Sequence, residues 1–443
     1  MTDASFIFDS YVFDAPTGVL RLRYAYETGP AFEEKIVFAP ATRMLSPQDL
    51  DALDASFRLL FLLAGVSYYK AYVPRELKCR AFALDKETAA FVENVYRHGL
   101  GEFAYRNKID LSDRVHFVSE NAPARKATPL DLPHRLLVPV GGGKDSIVTL
   151  ECLKQSGEPV TLFALGAASG IAAPIQATIN ASGLPALKVA RTLSPNLMEL
   201  NKAGALNGHV PITAILSAIA VSCAILHSFD TVVMSNEHSA SAANLRIGGH
   251  DINHQYSKSF AFEKDFTRFI AEHVAANISY FSLLRPLSEA AITRRFAKLD
   301  KYHSVFRSCN TAFRQDEKQR GRTWCCNCPK CRFVFLALAP FMKKKNLIAL
   351  FGKNLLADES QKEGFAELCG LAAYKPFECV GEIEESALLM EKLFRSDEWK
   401  NDVVVKTLGK MSKDFEKKFD ALFAPNPDHQ VPEKYLRMLH ACG

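Results

Sequence analysis

The sequence predicts an α/β fold: a doubly wound, mainly parallel sheet with a β-rich, mixed N-terminal domain before it and a helical C-terminal tail after it. Three observations carry this. Strand-like and helix-like runs alternate from residue 135 to residue 236, as βαβ units require. A glycine turn at residues 141–143 joins the first of those strands to its helix. An uncharged segment, PITAILSAIAVSCAILHSF (residues 211–229), feeds directly into another strand-like run.

The elements follow in order. SFIFDSYVF, GVLRLRYAYETG and EEKIVFAP are aromatic or β-branched runs separated by Asp, Pro and Gly, and predict three strands in residues 1–45. Ser46-Pro47 is a helix-start signal, and residues 46–73 repeat apolar positions at helical spacing. Residues 85–107 predict a second helical stretch. NAPARKATPLDLPHR (121–135) reads as a linker and sets a boundary near residue 130. The expected domains are therefore 1–130, 131–345 and 346–443. RLLVPV (135–140), PVTLFALG (159–166), LKVARTL (187–193) and DTVVMSN (230–236) are strand candidates, and residues 144–157 are a helix candidate. Segment 211–229 is about long enough to span a bilayer. Ser217, Ser222 and His227 interrupt it, and its place before a strand predicts a fully buried core helix instead. The Lys- and Glu-rich tail is helical in pattern.

Composition narrows the class. Of 443 residues, 48% are hydrophobic, enough for a sizeable core. A net charge of +5 without long basic runs predicts a pocket for an anionic small molecule rather than a nucleic-acid partner. The first twenty residues lack the basic and apolar regions of a signal peptide, and no membrane partner is expected. Five of eleven cysteines crowd into residues 309–331, which predicts metal binding in a reducing, cytoplasmic setting rather than a disulfide framework.

Chemistry concentrates in three places. The first is VPVGGGKDSIVTLE (138–151). Glycines let a backbone approach phosphate, and the helix start supplies free N–H groups and a positive dipole end. Lys144 adds a mobile cation, Ser146 a donor, and Asp145 a group that holds a metal ion or orients the loop. Asp145 follows Lys144, and Val138 occupies the early glycine position, so this is not a Walker A loop. Gly141, Gly142, Gly143, Lys144, Asp145 and Ser146 instead resemble the SGGxDS signature of the ATP pyrophosphatase (PP-loop) superfamily, with Gly141 in place of the leading Ser. That resemblance implies an adenine nucleotide alpha hydrolase-like domain that binds ATP and cleaves it to AMP and pyrophosphate.

The second place is the cysteine cluster. Cys325, Cys328 and Cys331 have C-x2-C-x2-C spacing, Cys309 lies upstream, and Cys326 is spare. Four thiolates fit a closed structural zinc site; an iron–sulfur cluster is the other metal reading. The arrangement resembles the zinc site of 7-cyano-7-deazaguanine synthases. The third place is SNEHSASAANLRIGGHDINHQYSKSF (235–260), after the last predicted strand. Here Glu237 is a candidate magnesium ligand, and His238 and His254 are candidate proton carriers. Tyr256 and Lys258 are further acid–base candidates. Arg246 and Asn253 are candidate substrate contacts, and Arg285 is either a substrate clamp or a surface charge.

Taken together, PVGGGKDS, NGHVPITAILS, VVMSNEHSAS, NHQYSKSF, SLLRPLSE and SYYKAYVP resemble the MurL family. The resemblance implies ATP- and magnesium-dependent epimerisation of the terminal L-glutamate of a UDP-linked muramyl dipeptide, with release of AMP and pyrophosphate. An α-proton beside a carboxylate is very weakly acidic; an acyl adenylate removes that charge and provides an electron sink. The alternative is another PP-loop adenylating enzyme, such as a deazaguanine synthase or a tRNA modifier.

Overall fold

The computed structural model describes residues 5–41, 43–247, 250–313, 321, 323–372 and 375–442. The N-terminal strands are β1 (Phe6–Asp14), β2 (Val19–Tyr26), β3 (Ala31–Val37), β4 (Glu76–Cys79) and β5 (His116–Val118). They are followed by β6 (Leu136–Pro139), β7 (Val160–Gly166), β8 (Ala186–Thr192), β9 (Thr231–Met234), β10 (Leu245–Ile247), β11 (His250–Ile252) and β12 (Ser279–Ser282). Ten strands make one sheet in the order β12-β9-β6-β7-β8-β3-β2-β1-β4-β5. Strands β12, β9, β6, β7 and β8 pair in parallel; β8, β3, β2 and β1 pair antiparallel; β1, β4 and β5 are parallel again. The short β10–β11 ribbon stands apart.

Strand burial follows from this layout. Every residue of β6 and β9 is buried, as expected of parallel strands covered on both faces. Strand β2 buries alternate residues, Leu20, Leu22, Tyr24 and Tyr26. The predicted N-terminal strands are therefore present, and they extend the parallel sheet: the sheet continues past residue 130 through the β3–β8 pairing. A buried bidentate pair fastens that junction, with Arg191 Nε and Nη2 donating to the two Glu34 oxygens at 2.7 and 3.1 Å.

Ser46 caps helix Pro47–Ala64 through a capping box with Asp49. The apolar segment forms helix Ile212–His227, buried nearly throughout. Its hydroxyls find partners inside the core: Ser222 Oγ lies 2.7 Å from Ser56 Oγ, and Ser217 Oγ 2.8 Å from Tyr280 OH. Among the described residues no helix is long and apolar enough to cross a membrane. The tail from residue 344 is a set of short helices packed on the parallel half of the sheet. One cysteine pair departs from the expectation of metal binding alone. Cys152 and Cys442 form a disulfide that ties the last helix, Glu433–Ala441, to helix Lys144–Gln155. Their 290-residue separation hides this pairing from the sequence.

Candidate active site

Strand order places the site. From β6 the chain steps outward to β7 and β8 on one side, and later to β9 and β12 on the other. The carboxyl ends of β6 and β9 therefore flank a topological switch point, where doubly wound sheets open a crevice. The glycine loop leaves β6 there, and residues 235–238 leave β9 beside it.

The loop is shaped for close approach. Gly142 has φ +76°, and a Cβ on it would lie 3.1 Å from the Ile175 nitrogen, so glycine is required. A Cβ on Gly141 would meet nothing within 4 Å, so the position that departs from the PP-loop signature has room for a side chain. Gly143 precedes helix Lys144–Gln155 without a side-chain cap, leaving the helix N-terminus open to an anion. Lys144 is not the mobile cation expected: it is buried, 2.5 Å from Asp145 and in contact with Glu289. Burial acts to lower the Lys144 pKa, but the two carboxylates outweigh it and raise it. Burial, with Asp145, Glu237 and Glu385 nearby, pushes the Glu289 carboxyl well above its ordinary range, against the pull of Lys144. Asp145 thus holds Lys144 against the loop.

Residues 235–260 fold into two arms held from below by Arg285. Arg285 is fully buried; its Nη2 donates to Glu263 at 2.8 Å and to the Lys258 carbonyl at 2.6 Å. Its Nη1 donates to the Glu237 carbonyl at 2.6 Å. Neither substrate clamp nor surface charge describes it: every nitrogen is spent on protein, and it positions Glu237 and Lys258. Asn253 is also spent locally, on the Ala240 carbonyl and the Gln255 amide. Arg246 sits on the exposed β10–β11 ribbon, 3.6 Å from Asp251. Tyr256 turns away into the N-terminal half, accepting from Asn94 at 2.8 Å and stacking on His98. His238 lines a cavity of about 390 Å³ with Ser288, Glu382, Glu385 and Asn426, its Nε2 lying 3.2 Å from Asn426 Nδ2. The hydroxyls of Ser235 and Ser239 are buried without a partner among the described residues.

His254 and Lys258 meet groups that the sequence reading missed. His254 Nδ1 contacts Glu102, and its ring packs 4.2 Å from that of His209. Cys379, from the C-terminal region, lies 3.4 Å from Lys258 Nζ and also interacts electrostatically with His254. Burial works against the charged imidazole, but Cys379 and Glu102 raise the His254 pKa to about 9. Burial, then His254, lowers that of His209 to about 4. Lys258 is held above its ordinary value, chiefly by Cys379 and then by Glu237 and Asp145, so the two arms and the glycine loop share one field. Asn244 fixes this meeting by donating to the Pro376 carbonyl at 3.2 Å and accepting from the His254 amide at 2.9 Å. The runs NHQYSKSF and NGHVPITAILS signalled His254, Lys258 and His209 in the sequence, but nothing signalled Glu102 or Cys379.

The four cysteines expected as metal ligands do converge. The sulfurs of Cys309, Cys325, Cys328 and Cys331 lie within 4.8 Å of one another, including separations of 3.5 and 3.7 Å. Tetrahedral zinc with Zn–S of about 2.3 Å needs sulfurs roughly 3.8 Å apart, so the set fits that ion. Cys326 turns aside at φ +56°, donating to the Phe351 carbonyl. The cluster also braces the glycine loop: Arg307, two residues before Cys309, donates its amide to the Gly142 carbonyl at 2.9 Å.

A parallel sheet with a glycine loop at its switch point, beside buried Lys144 and Glu289 and the half-buried His254, Lys258 and Cys379, has the layout of an α/β enzyme. Residues 1–283 match the MurL N-terminal domain and residues 305–422 the MurL C-terminal domain. A protein of Xanthomonas oryzae pv. oryzae is 44% identical over 436 residues, covering 97% of this chain and 95% of its own. One from a Micromonospora species is 43% identical over 98% of this chain and 97% of its own, and one from Salinispora tropica 44% over 91% and 88%. Each is named UDP-N-acetyl-alpha-D-muramoyl-L-alanyl-L-glutamate epimerase. The chain belongs to the MurL family.

Proposed function

We propose that the protein inverts the terminal L-glutamate of UDP-MurNAc-L-Ala-L-Glu to D-glutamate by way of an acyl adenylate, releasing AMP and pyrophosphate for cytoplasmic synthesis of peptidoglycan precursors. The relatives' names supply the substrate. The observation that carries the ATP-dependent route is the open helix N-terminus behind Gly141–Gly143, next to the charged arms 235–260. In this reading the loop, of PP-loop type, receives the pyrophosphate end of ATP through its N–H groups and Ser146.

Asp145, Glu237 and Glu289 supply hard oxygen donors in one place, which suits magnesium. The ion would neutralise phosphate charge there. Zinc held by Cys309, Cys325, Cys328 and Cys331 would be structural, since four thiolates leave no open position. Attack of the glutamate carboxylate on the α-phosphorus forms the adenylate; the acidified α-carbon then exchanges its proton, and hydrolysis releases product. His254 and Lys258 stand closest to this role among the residues proposed from sequence; the His238 cavity is room for substrate.

The test is incubation with UDP-MurNAc-L-Ala-L-Glu, ATP and magnesium in deuterated water. The expected result is D-glutamate in the product, deuterium at the α-carbon only when ATP is present, and AMP. Release of ADP, or exchange without ATP, overturns the reading.

A further inference from the structure

Resting on that reading, we infer that Cys379 and Lys258 form the pair that moves the α-proton, Cys379 on one face of the α-carbon and Lys258 on the other. The geometry points to this. Cys379 Sγ lies 3.4 Å from Lys258 Nζ and interacts electrostatically with His254, whose Nδ1 contacts Glu102. The order Glu102–His254–Cys379 repeats the logic of an activated nucleophile: a carboxylate orients an imidazole, and the imidazole's charge favours the thiolate. Two further observations mark a place built for a ligand. The side-chain oxygen of Gln255, which is only 6% exposed and follows His254 in the chain, has no partner among the described residues. Arg285, fully buried, fixes the backbone of Lys258 and of Glu237, tying this cluster to the proposed nucleotide site.

Electrostatics supports the assignment. Burial pushes the Cys379 thiol up, but Lys258 and His254 more than offset it and bring it down to about 7, so a thiolate is available near neutral pH. A thiolate suits carbon acids because it is weakly solvated and needs little reorganisation.

The step balances. The thiolate takes the α-proton: the C–H bond breaks, an S–H bond forms, and the electron pair enters the adenylate carbonyl as an enolate. The Lys258 ammonium then delivers a proton to the opposite face and forms the new C–H bond. The Cys379 thiol returns its proton to the neutral amine through their direct contact, restoring thiolate and ammonium. Substrate binding has to part the two groups, which the long Lys258 side chain permits.

The experiment measures α-deuterium incorporation in deuterated water with UDP-MurNAc-L-Ala-L-Glu, alongside ATP–pyrophosphate exchange, for the full chain. Cys379→Ala should lose deuterium incorporation at least a hundredfold while pyrophosphate exchange stays measurable. Cys379→Ser should lose nearly as much, because a hydroxyl is not ionised there. Cys79→Ala, a half-buried cysteine of β4 outside the site, should match the parent. Iodoacetamide on the unmodified protein gives a check that needs no variant to fold: alkylation of Cys379, located by mass spectrometry, should track loss of deuterium incorporation, and substrate should slow both. Deuterium incorporation by Cys379→Ala within tenfold of the parent, or by the protein alkylated at Cys379, overturns the inference. If the unmodified protein shows no ATP-dependent incorporation at all, the proposed function fails instead, and the two failures are distinct.

Discussion

Arg285→Met should destabilise the protein by about 5 kcal/mol. Arg285 and Glu263 have side-chain exposures of 0% and 1%, so the pair is wholly desolvated. Removing the cation leaves Glu263 charged and buried, with the Ser282 amide at 3.1 Å as its remaining partner. Breaking a buried pair from one side costs about 3–5 kcal/mol. The carbonyls of Glu237 and Lys258 lose donors at 2.6 Å, and each lost buried bond adds about 1–3 kcal/mol, less whatever relaxation recovers. Urea denaturation followed by circular dichroism gives the shift in stability. Arg285→Met with Glu263→Leu should recover part of the loss, because no unpaired charge then remains. Arg285→Lys should fall between, having charge without the fork that reaches three acceptors. A single variant within about 1 kcal/mol of the parent, or a double variant less stable than either single, would refute the reasoning.

Four other outcomes follow from the same geometry. Gly142→Ala forces a left-handed residue, costing about 1–2 kcal/mol, and crowds Ile175; ATP binding by calorimetry should weaken at least tenfold. Gly141→Ser, in open space, should leave the melting temperature unchanged. Metal analysis should find one zinc per chain, lost in Cys331→Ser and retained in Cys326→Ser, whose sulfur faces a carbonyl outside the cluster. The stability that His254 contributes through Glu102 and Cys379 should depend on pH. Its folded pKa, about 9, is raised from 6.5, so the contribution is full below about pH 6.5 and is lost as pH rises through 9. The urea midpoint gap between parent and His254→Gln should therefore be larger at pH 6 than at pH 10; a gap that widens with pH contradicts the assignment.

Several features were legible because they are local. Strands β1, β2, β3, β6, β7, β8 and β9 fall on the runs read from alternation and β-branching, and Ser46-Pro47 starts its helix as read. Strands β4 and β5 were not legible: with four and three residues they carry too little pattern, and only pairing beside β1 defines them. Arg285 was ambiguous for a related reason. An arginine after an apolar run looks the same whether it points outward or inward, and Glu263 lies a whole helix away.

What the sequence determined by itself is the glycine loop, the cysteine spacing, the apolar helix and the family motifs. Each is a signal from residues adjacent in the chain, where a φ angle or a ligand spacing is set by immediate neighbours. Tertiary structure alone decided the rest. It made the N-terminal strands a continuation of the parallel sheet, and it spent Lys144 on Asp145 and Glu289. It also gathered Glu102, His209, the run holding His254 and Lys258, and Cys379 from four separate segments. Alone, each of those side chains is chemically ordinary; burial and mutual charge, which exist only after folding, change their proton affinities.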